Sequence, residues 1–173
     1  MSNLIGYIAH ANLNMYGGIL RPIEFAMCNL RDGRVFLGTI DNSSYTCTKN
    51  DLYSNISRFI QVHHLPLDFC GTLKWDEAKR AIVEEYIRWD ERRCNMIAVL
   101  NPLQKSIFKE TTLPIFDISD DNQISVPRIN DVLREYKVPS DDDIHSAKHI
   151  LNEPCSRNVV QCYRELILHC LEN

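Results

Sequence analysis

The stretch RPIEFAMCNLRDGRVFLG, Arg21 to Gly38, limits the possible folds more than any other part of the chain. Its Asp32-Gly33 pair separates two apolar runs and marks a hairpin, because both residues reach the backbone conformations that tight turns need. The first run, Pro22 to Leu30, alternates two faces: Glu24, Ala26, Cys28 and Leu30 on one, Ile23, Phe25, Met27 and Asn29 on the other. Both faces are largely apolar, so this strand must be covered on both sides. Glu24 breaks the pattern. A buried carboxylate without a partner is costly, so its surroundings must supply a cation, hydrogen-bond donors or a metal ion. Arg21 and Arg164 are the arginine candidates.

The flanking patterns extend this hairpin into a sheet. Leu4–His10 reads as a short buried strand, and the Asn- and Gly-rich run from Ala11 to Gly18 as turn chemistry. Val35 to Ile40 returns as a third strand. A helix follows around residues 48–61, with Leu52, Ile56, Phe59 and Ile60 on one stripe. Trp75–Trp89 is a stronger helix, with Ala78, Ala81, Ile82, Tyr86 and Trp89 sharing a face and Asp76 and Glu77 suiting its first turn. Asn95 to Asn101 reads as a buried strand, Pro102 opens a short helix, and the run around Ile115 is a fifth strand. Helices are expected over 126–138, over 140–151 and from Ser156 to the end, the last with Val159, Tyr163, Leu166 and Cys170 as its core stripe. Three hairpinned strands followed by strand–helix units is the order of an α/β, ribonuclease-H-like mixed sheet, here expected as one domain over residues 1–173.

Bulk properties exclude several functions. A net charge of −4 argues against a broad duplex-DNA surface, which needs many cations at phosphates. No apolar run is long enough to span a bilayer, and the first residues lack a basic segment followed by an apolar one, so an intracellular protein, cytoplasmic or nuclear, is expected. The seven cysteines form no paired framework and read as reduced thiols. The sequons at Asn42 and Asn55 then have no role.

Nucleases of this fold use two metal ions held by acids, including an Asp-x-Glu pair on the first strand, and the two metals clamp the attacking and leaving oxygens. Here the first strand reads YIAHAN, with Ala9 and Ala11 taken as the acid positions and His10 as pointing away. A two-metal nuclease is not expected from it, which leaves the question of enzyme activity open and weighted against one. A zinc site is the alternative chemistry. If residues 141–149 are helical, His145 and His149 are one turn apart, Cys155 precedes the last helix where its positive end favours a thiolate, and Glu24 adds a carboxylate. Cys28 is too far along the strand from Glu24 to share an ion, and Cys155 and Cys162 are two turns apart, so at most one of them belongs to the site. Cys70 after His63 and His64 invites a thiol–imidazole reading, but GxSxG, P-loop and HExxH motifs are absent.

Three segments carry a family resemblance. RPIEFAMCNLRDG resembles the strand–turn segment of the Maelstrom domain, a ribonuclease-H-like domain of small-RNA silencing. HHLPL, His63 to Leu67, is similar to that family's His-x-Leu/Ile-Pro loop, and the segment from His145 to Leu166 resembles its closing His…Cys segment. The likeness spans about residues 4–171, and the Phe59–Trp75 stretch is also similar to uncharacterised arthropod and mobile-element proteins of the same degenerate DnaQ-type exonuclease fold. The resemblance implies lost nuclease acids and a Glu-Cys-His-Cys zinc constellation, matched by Glu24, His145 and Cys155. Asp142 stands where the first Cys belongs, which leaves Asp142 or His149 as fourth ligand, or the site unused. It further implies association with single-stranded RNA. The function expected is a catalytically degenerate nuclease-fold protein working as an RNA-associated silencing module, with protein partners. The alternative is a protein-interaction scaffold on the same fold without RNA binding.

Overall fold

Gly17 and Gly18 close the first hairpin. Both take left-handed φ values, 60° and 75°, the pair required by a two-residue turn whose twist matches the strands it joins. In the computed structural model, which describes residues 4–90, 94–120, 127–128, 131–132, 135–136 and 155–172, this turn links β1 (Ile5–Tyr16) to β2 (Ile19–Asn29). The two strands pair antiparallel from Tyr7↔Asn29 to Tyr16↔Ile19. β1 therefore runs six residues past the expected end at His10, and the segment taken for a turn is strand. Asn12 and Asn14 caused the misreading. They resemble loop residues, but both are buried and hydrogen-bonded. Pro22, which has no N–H to give a ladder, sits at the irregularity after Asn12, and its carbonyl accepts from Asn42 Nδ2 at 2.7 Å.

The turn at Asp32-Gly33 leads into β3 (Val35–Thr39), antiparallel to β2. β4 (Met96–Val99) and β5 (Ile115–Asp117) run parallel to β1 on its other side. The result is an α/β structure with a five-stranded mixed open sheet in the order β3-β2-β1-β4-β5.

Both sheet faces are covered, as the two apolar faces of β2 require. Tyr7, Ala9, Ala11, Phe25, Met27, Ile97 and Val99 pack against α2 (Trp75–Trp89) and α3 (Pro102–Phe108) through Ala78, Ile82, Tyr86 and Phe108. Ile8, Ala26, Cys28, Leu30 and Ala98 pack against α4 (Ser156–Glu172) through Val159, Val160, Tyr163 and Ile167. Val132 is buried in this second core, whereas most of the helix expected over 126–138, and all of that over 140–151, lie outside the described residues. α3 starts as expected, with Pro102 in its first turn and Asn101 Oδ1 capping the Gln104 N–H at 3.0 Å.

α1 (Lys49–Arg58) is the exception to apolar-inward packing. It buries Asp51 and Asn55, while Leu52 of its apolar stripe is 44% exposed and Ile60, in the following turn, 60%. Contacts to β1 explain the inversion. Asp51 accepts from the N–H groups of Gly17 and Gly18 at 2.9 and 3.0 Å. Asn55 takes both backbone groups of Met15, its Oδ1 accepting from N–H at 2.6 Å and its Nδ2 donating to the carbonyl at 2.9 Å. These bonds satisfy a strand edge that would otherwise be buried unpaired. α1 ends in a π-helical turn, Phe59–His63, closed by His64 at φ 51°.

Candidate functional site

β1 overshoots β4, whose last pairing with it is Ile8↔Ala98. Beyond that point β1 has no strand neighbour on the β4 side among the described residues, and carboxamides replace one. Gln104 Oε1 accepts from the Ala11 N–H and its Nε2 donates to the Ala11 carbonyl, both at 2.8 Å. Asn55 treats Met15 in the same way, so two side chains continue the ladder past the end of β4.

The free length of β1 carries a buried polar ladder on the α4 side: His10, Asn12 and Asn14 follow Ile8 at every second residue. Ala9 and Ala11 face the α2–α3 core instead. His10 does face away from Ala9 and Ala11, as expected, but the face it shares with Asn12 is the one turned to Glu24, which corrects the choice of Ala9 and Ala11 as the site positions. The residues that β1 turns toward Glu24 are His10 and Asn12, and neither is an acid.

Glu24, opposite Asn12 in the strand register, is fully buried. Its Oε1 accepts from Asn12 Nδ2 at 3.1 Å and from the Ser156 backbone N–H at 2.5 Å. Ser156 is the first residue of α4, so the carboxylate sits at the positive end of that helix and satisfies one of its orphan donors. Arg21 and Arg164 are engaged elsewhere. The Arg21 guanidinium carbon lies 3.7 Å from the Tyr45 ring centre, and Arg164 donates to the Leu30 carbonyl at 2.9 Å and pairs with Glu165.

Cys155 adjoins this carboxylate as the residue before α4, and its carbonyl accepts the Val159 N–H at 3.0 Å. Burial and the Glu24 charge push its thiol up to about 12, against the pull of the Arg157 and Asn158 N–H groups that point at the sulfur. The expected thiolate is therefore corrected: at neutral pH without a metal the group is a thiol, because desolvation outweighs the helix end. Cys162 points elsewhere, toward the Tyr136 carbonyl at 2.9 Å. His145 and His149 lie outside the described residues, as does Asp142. Among the described residues no group of three His, Cys, Asp or Glu side chains is placed to hold a metal.

His10 Nε2 lies 3.3 Å from Asn12 Oδ1, which fixes Nε2 as the protonated nitrogen and leaves Nδ1 buried with no hydrogen-bond partner among the described residues. Burial lowers its pKa to about 4, with Asn12 and the Glu24 charge opposing. His63, at the end of the π turn, is fully buried. The Leu65 N–H donates to its Nδ1 at 3.1 Å, so Nε2 carries the proton and donates to Asn14 Oδ1 at 3.0 Å. That bond removes His63 from any pairing with Cys70, whose exposed sulfur lies 3.3 Å from Asp41 Oδ1. Asn12 and Asn14 escaped the sequence reading, and His63 entered it only beside Cys70 and in the His63–Leu67 loop. The one signal for the asparagines was their spacing, two apart after a buried strand.

None of His10, Asn12, Asn14, Glu24, His63 and Cys155 is more than 4% exposed, so the ladder is closed to solvent in this structure. A second buried acid, Asp117, pairs in register with Val99 of the α2–α3 core, on the face opposite Glu24. Its Oδ1 accepts from Ser119 N–H and Oγ at 3.0 and 2.7 Å. Among the described residues, then, the sheet does not bring two acids together. No helix among them is long and apolar enough to cross a membrane. Compared with protein-family models and with curated proteins, the chain matches none.

Proposed function

We propose that this chain is a catalytically degenerate nuclease-fold protein of the ribonuclease-H-like class, acting as an RNA-associated module of the small-RNA-silencing type within the cell. The observation that carries this reading is the closed polar ladder. β1 offers His10 and Asn12 to Glu24 and the start of α4, where metal-dependent hydrolysis needs a set of carboxylates open to substrate. The strand order, with β1–β3 antiparallel and β4 and β5 parallel to β1, supports the fold assignment. RNA association rests on the resemblance of the Arg21–Gly33, His63–Leu67 and His145–Leu166 segments to the Maelstrom domain.

The same reading assigns zinc to Glu24, His145 and Cys155, with His149 completing the set. Glu24 beside Cys155 supports half of this ligand group. The two N–H groups at the Cys155 sulfur suit a metal-bound thiolate, which a zinc ion would stabilise further. Filter binding of labelled single-stranded RNA at physiological salt tests the proposal. Retention at tens of micromolar protein or below, with duplex DNA not retained, is the expected result. Equal failure of both ligands removes the RNA half.

A further inference from the structure

One edge of the sheet is β3, and its register says which backbone groups face outward. The N–H of Asn29 bonds the Arg34 carbonyl, and the N–H of Ile40 bonds the Ile23 carbonyl. Bonded residues of an antiparallel ladder recur at every second position, so Phe36 and Gly38 also turn toward β2. Val35, Leu37 and Thr39 turn their N–H and carbonyl groups away from it. The Thr39 carbonyl accepts from the N–H groups of Thr72 and Leu73 at 3.1 and 3.0 Å, and Leu73 bridges Ile40 in parallel. The chain thus adds a strand-like segment of its own to the end of this edge, and the ladder stops there. The outward N–H and carbonyl groups of Val35 and Leu37 have no partner among the described residues.

The sequence of β3 does not discourage a further strand. Residues 35–39 contain no lysine or proline, and their pairing with β2 is uninterrupted by a bulge, so the devices that keep edges from pairing are missing. Val35 and Leu37 are half-buried beside the α4 core, and Phe36 is half-buried beside the α2–α3 core. The apolar layers on both sides of the sheet therefore run out to this edge. We propose that the edge takes up an extended segment of a partner protein as a sixth strand. Its backbone bonds the N–H and carbonyl groups of Val35 and Leu37, which repeat at about 7 Å, and its side chains alternate between the two layers. A strand covered on both faces is apolar throughout, so the partner segment is a continuous run of about four or five β-branched or aromatic residues.

A second copy of this chain does not fit the edge. Two-fold pairing centred on Leu37 needs the Thr39 carbonyl, both of whose lone pairs are taken by Thr72 and Leu73. Centring on Phe36 joins Val35 to Leu37 of the second copy. That register lays each copy's Gly33 turn over the place beside Thr39 that Thr72 holds in the other. The occupant is specified by backbone groups in ladder register rather than by exposed apolar area. The proposal stands apart from RNA association and from the buried polar ladder, so it can fail without either.

The test selects a displayed library of random peptides, each about nine residues long, on the full chain. Synthetic versions of the enriched peptides are then added while amide exchange of the protein is followed. Runs of apolar residues should be enriched, and bound peptide should slow exchange at Val35 and Leu37 about tenfold or more, with Phe36 and Gly38, already in the ladder, changing less. Methylating the peptide's backbone nitrogens one at a time should weaken binding about tenfold at alternate positions only, since every second amide enters the ladder. Leu37→Pro removes one outward donor and should weaken binding by a similar factor. Circular dichroism verifies that variant's fold, and the methylation series needs no variant. Failure to enrich any peptide, bound peptides that leave exchange at Val35 and Leu37 unchanged, or methylation effects without alternation overturn the proposal. So does a concentration-dependent dimer that protects the same two amides, since it gives the edge to a second copy.

Discussion

The Glu24 carboxylate lies 2.5 Å from the backbone nitrogen of Ser156, joining the middle of the sheet to the first turn of the closing helix. Glu24→Ala leaves the Ser156 N–H and Asn12 Nδ2 without this acceptor and should cost about 2–4 kcal/mol by urea unfolding. Glu24→Gln keeps an acceptor oxygen, loses the charge at the helix end, and should cost about 1 kcal/mol. Arg21→Ala and Arg164→Ala should not reproduce the Glu24→Ala loss. An Ala variant at position 24 as stable as wild type contradicts the capping role.

His10 makes stability depend on acidity. Its folded pKa, about 4, lies below the ordinary 6.5, so the unfolded chain takes up the proton first as pH falls. Its contribution is complete above 6.5 and is lost progressively down to 4. Wild type should lose about 2 kcal/mol more than His10→Leu between pH 7.5 and pH 5, as the integrated proton uptake requires. Glu24 and Asn12 are the groups that oppose the shift. Parallel pH profiles for the two proteins contradict the buried neutral imidazole.

Gln104 stands in for a strand. Gln104→Met fills similar volume but gives the Ala11 N–H and carbonyl nothing to bond, and should cost about 2–4 kcal/mol for the two buried backbone groups. Amide exchange at Ala11 should accelerate in the variant while Ile97, held by the Pro114 carbonyl at 2.9 Å, stays protected. Unchanged protection at Ala11 contradicts the substitution of side chain for strand.

Zinc content separates a metal centre from a pure helix cap. Elemental analysis of protein purified without chelator should give about one zinc per chain, depleted in Glu24→Gln and in Cys155→Ser. Zinc-free wild-type protein leaves Glu24 and Cys155 as capping groups alone.

The sequence revealed what depends on periodicity. Two apolar faces on β2 required two covering layers, and α2 and α4 supply them. Pro102 and Asn101 marked the start of α3, and the strand directions followed from the hairpin and the helical connections. What it concealed depends on tertiary pairing. Asn12 and Asn14 carry loop propensity and became strand because Glu24 and His63 bond them. The α1 stripe has the spacing of a core face, yet the hairpin draws Asp51 and Asn55 inward instead. Glu24 and Cys155 lie 131 positions apart in sequence, and no local pattern links them. Zinc-ligand chemistry and the family resemblance both grouped them, together with His145 and His149, which fall outside the described residues.

The most direct test of the central claim is a titration of end-labelled single-stranded RNA with the full chain in physiological salt and Mn²⁺, resolved on a native gel. RNA that shifts at tens of micromolar protein or below and stays full length is the predicted result. RNA that is shortened contradicts the loss of catalysis, and RNA that neither shifts nor shortens contradicts the association with RNA.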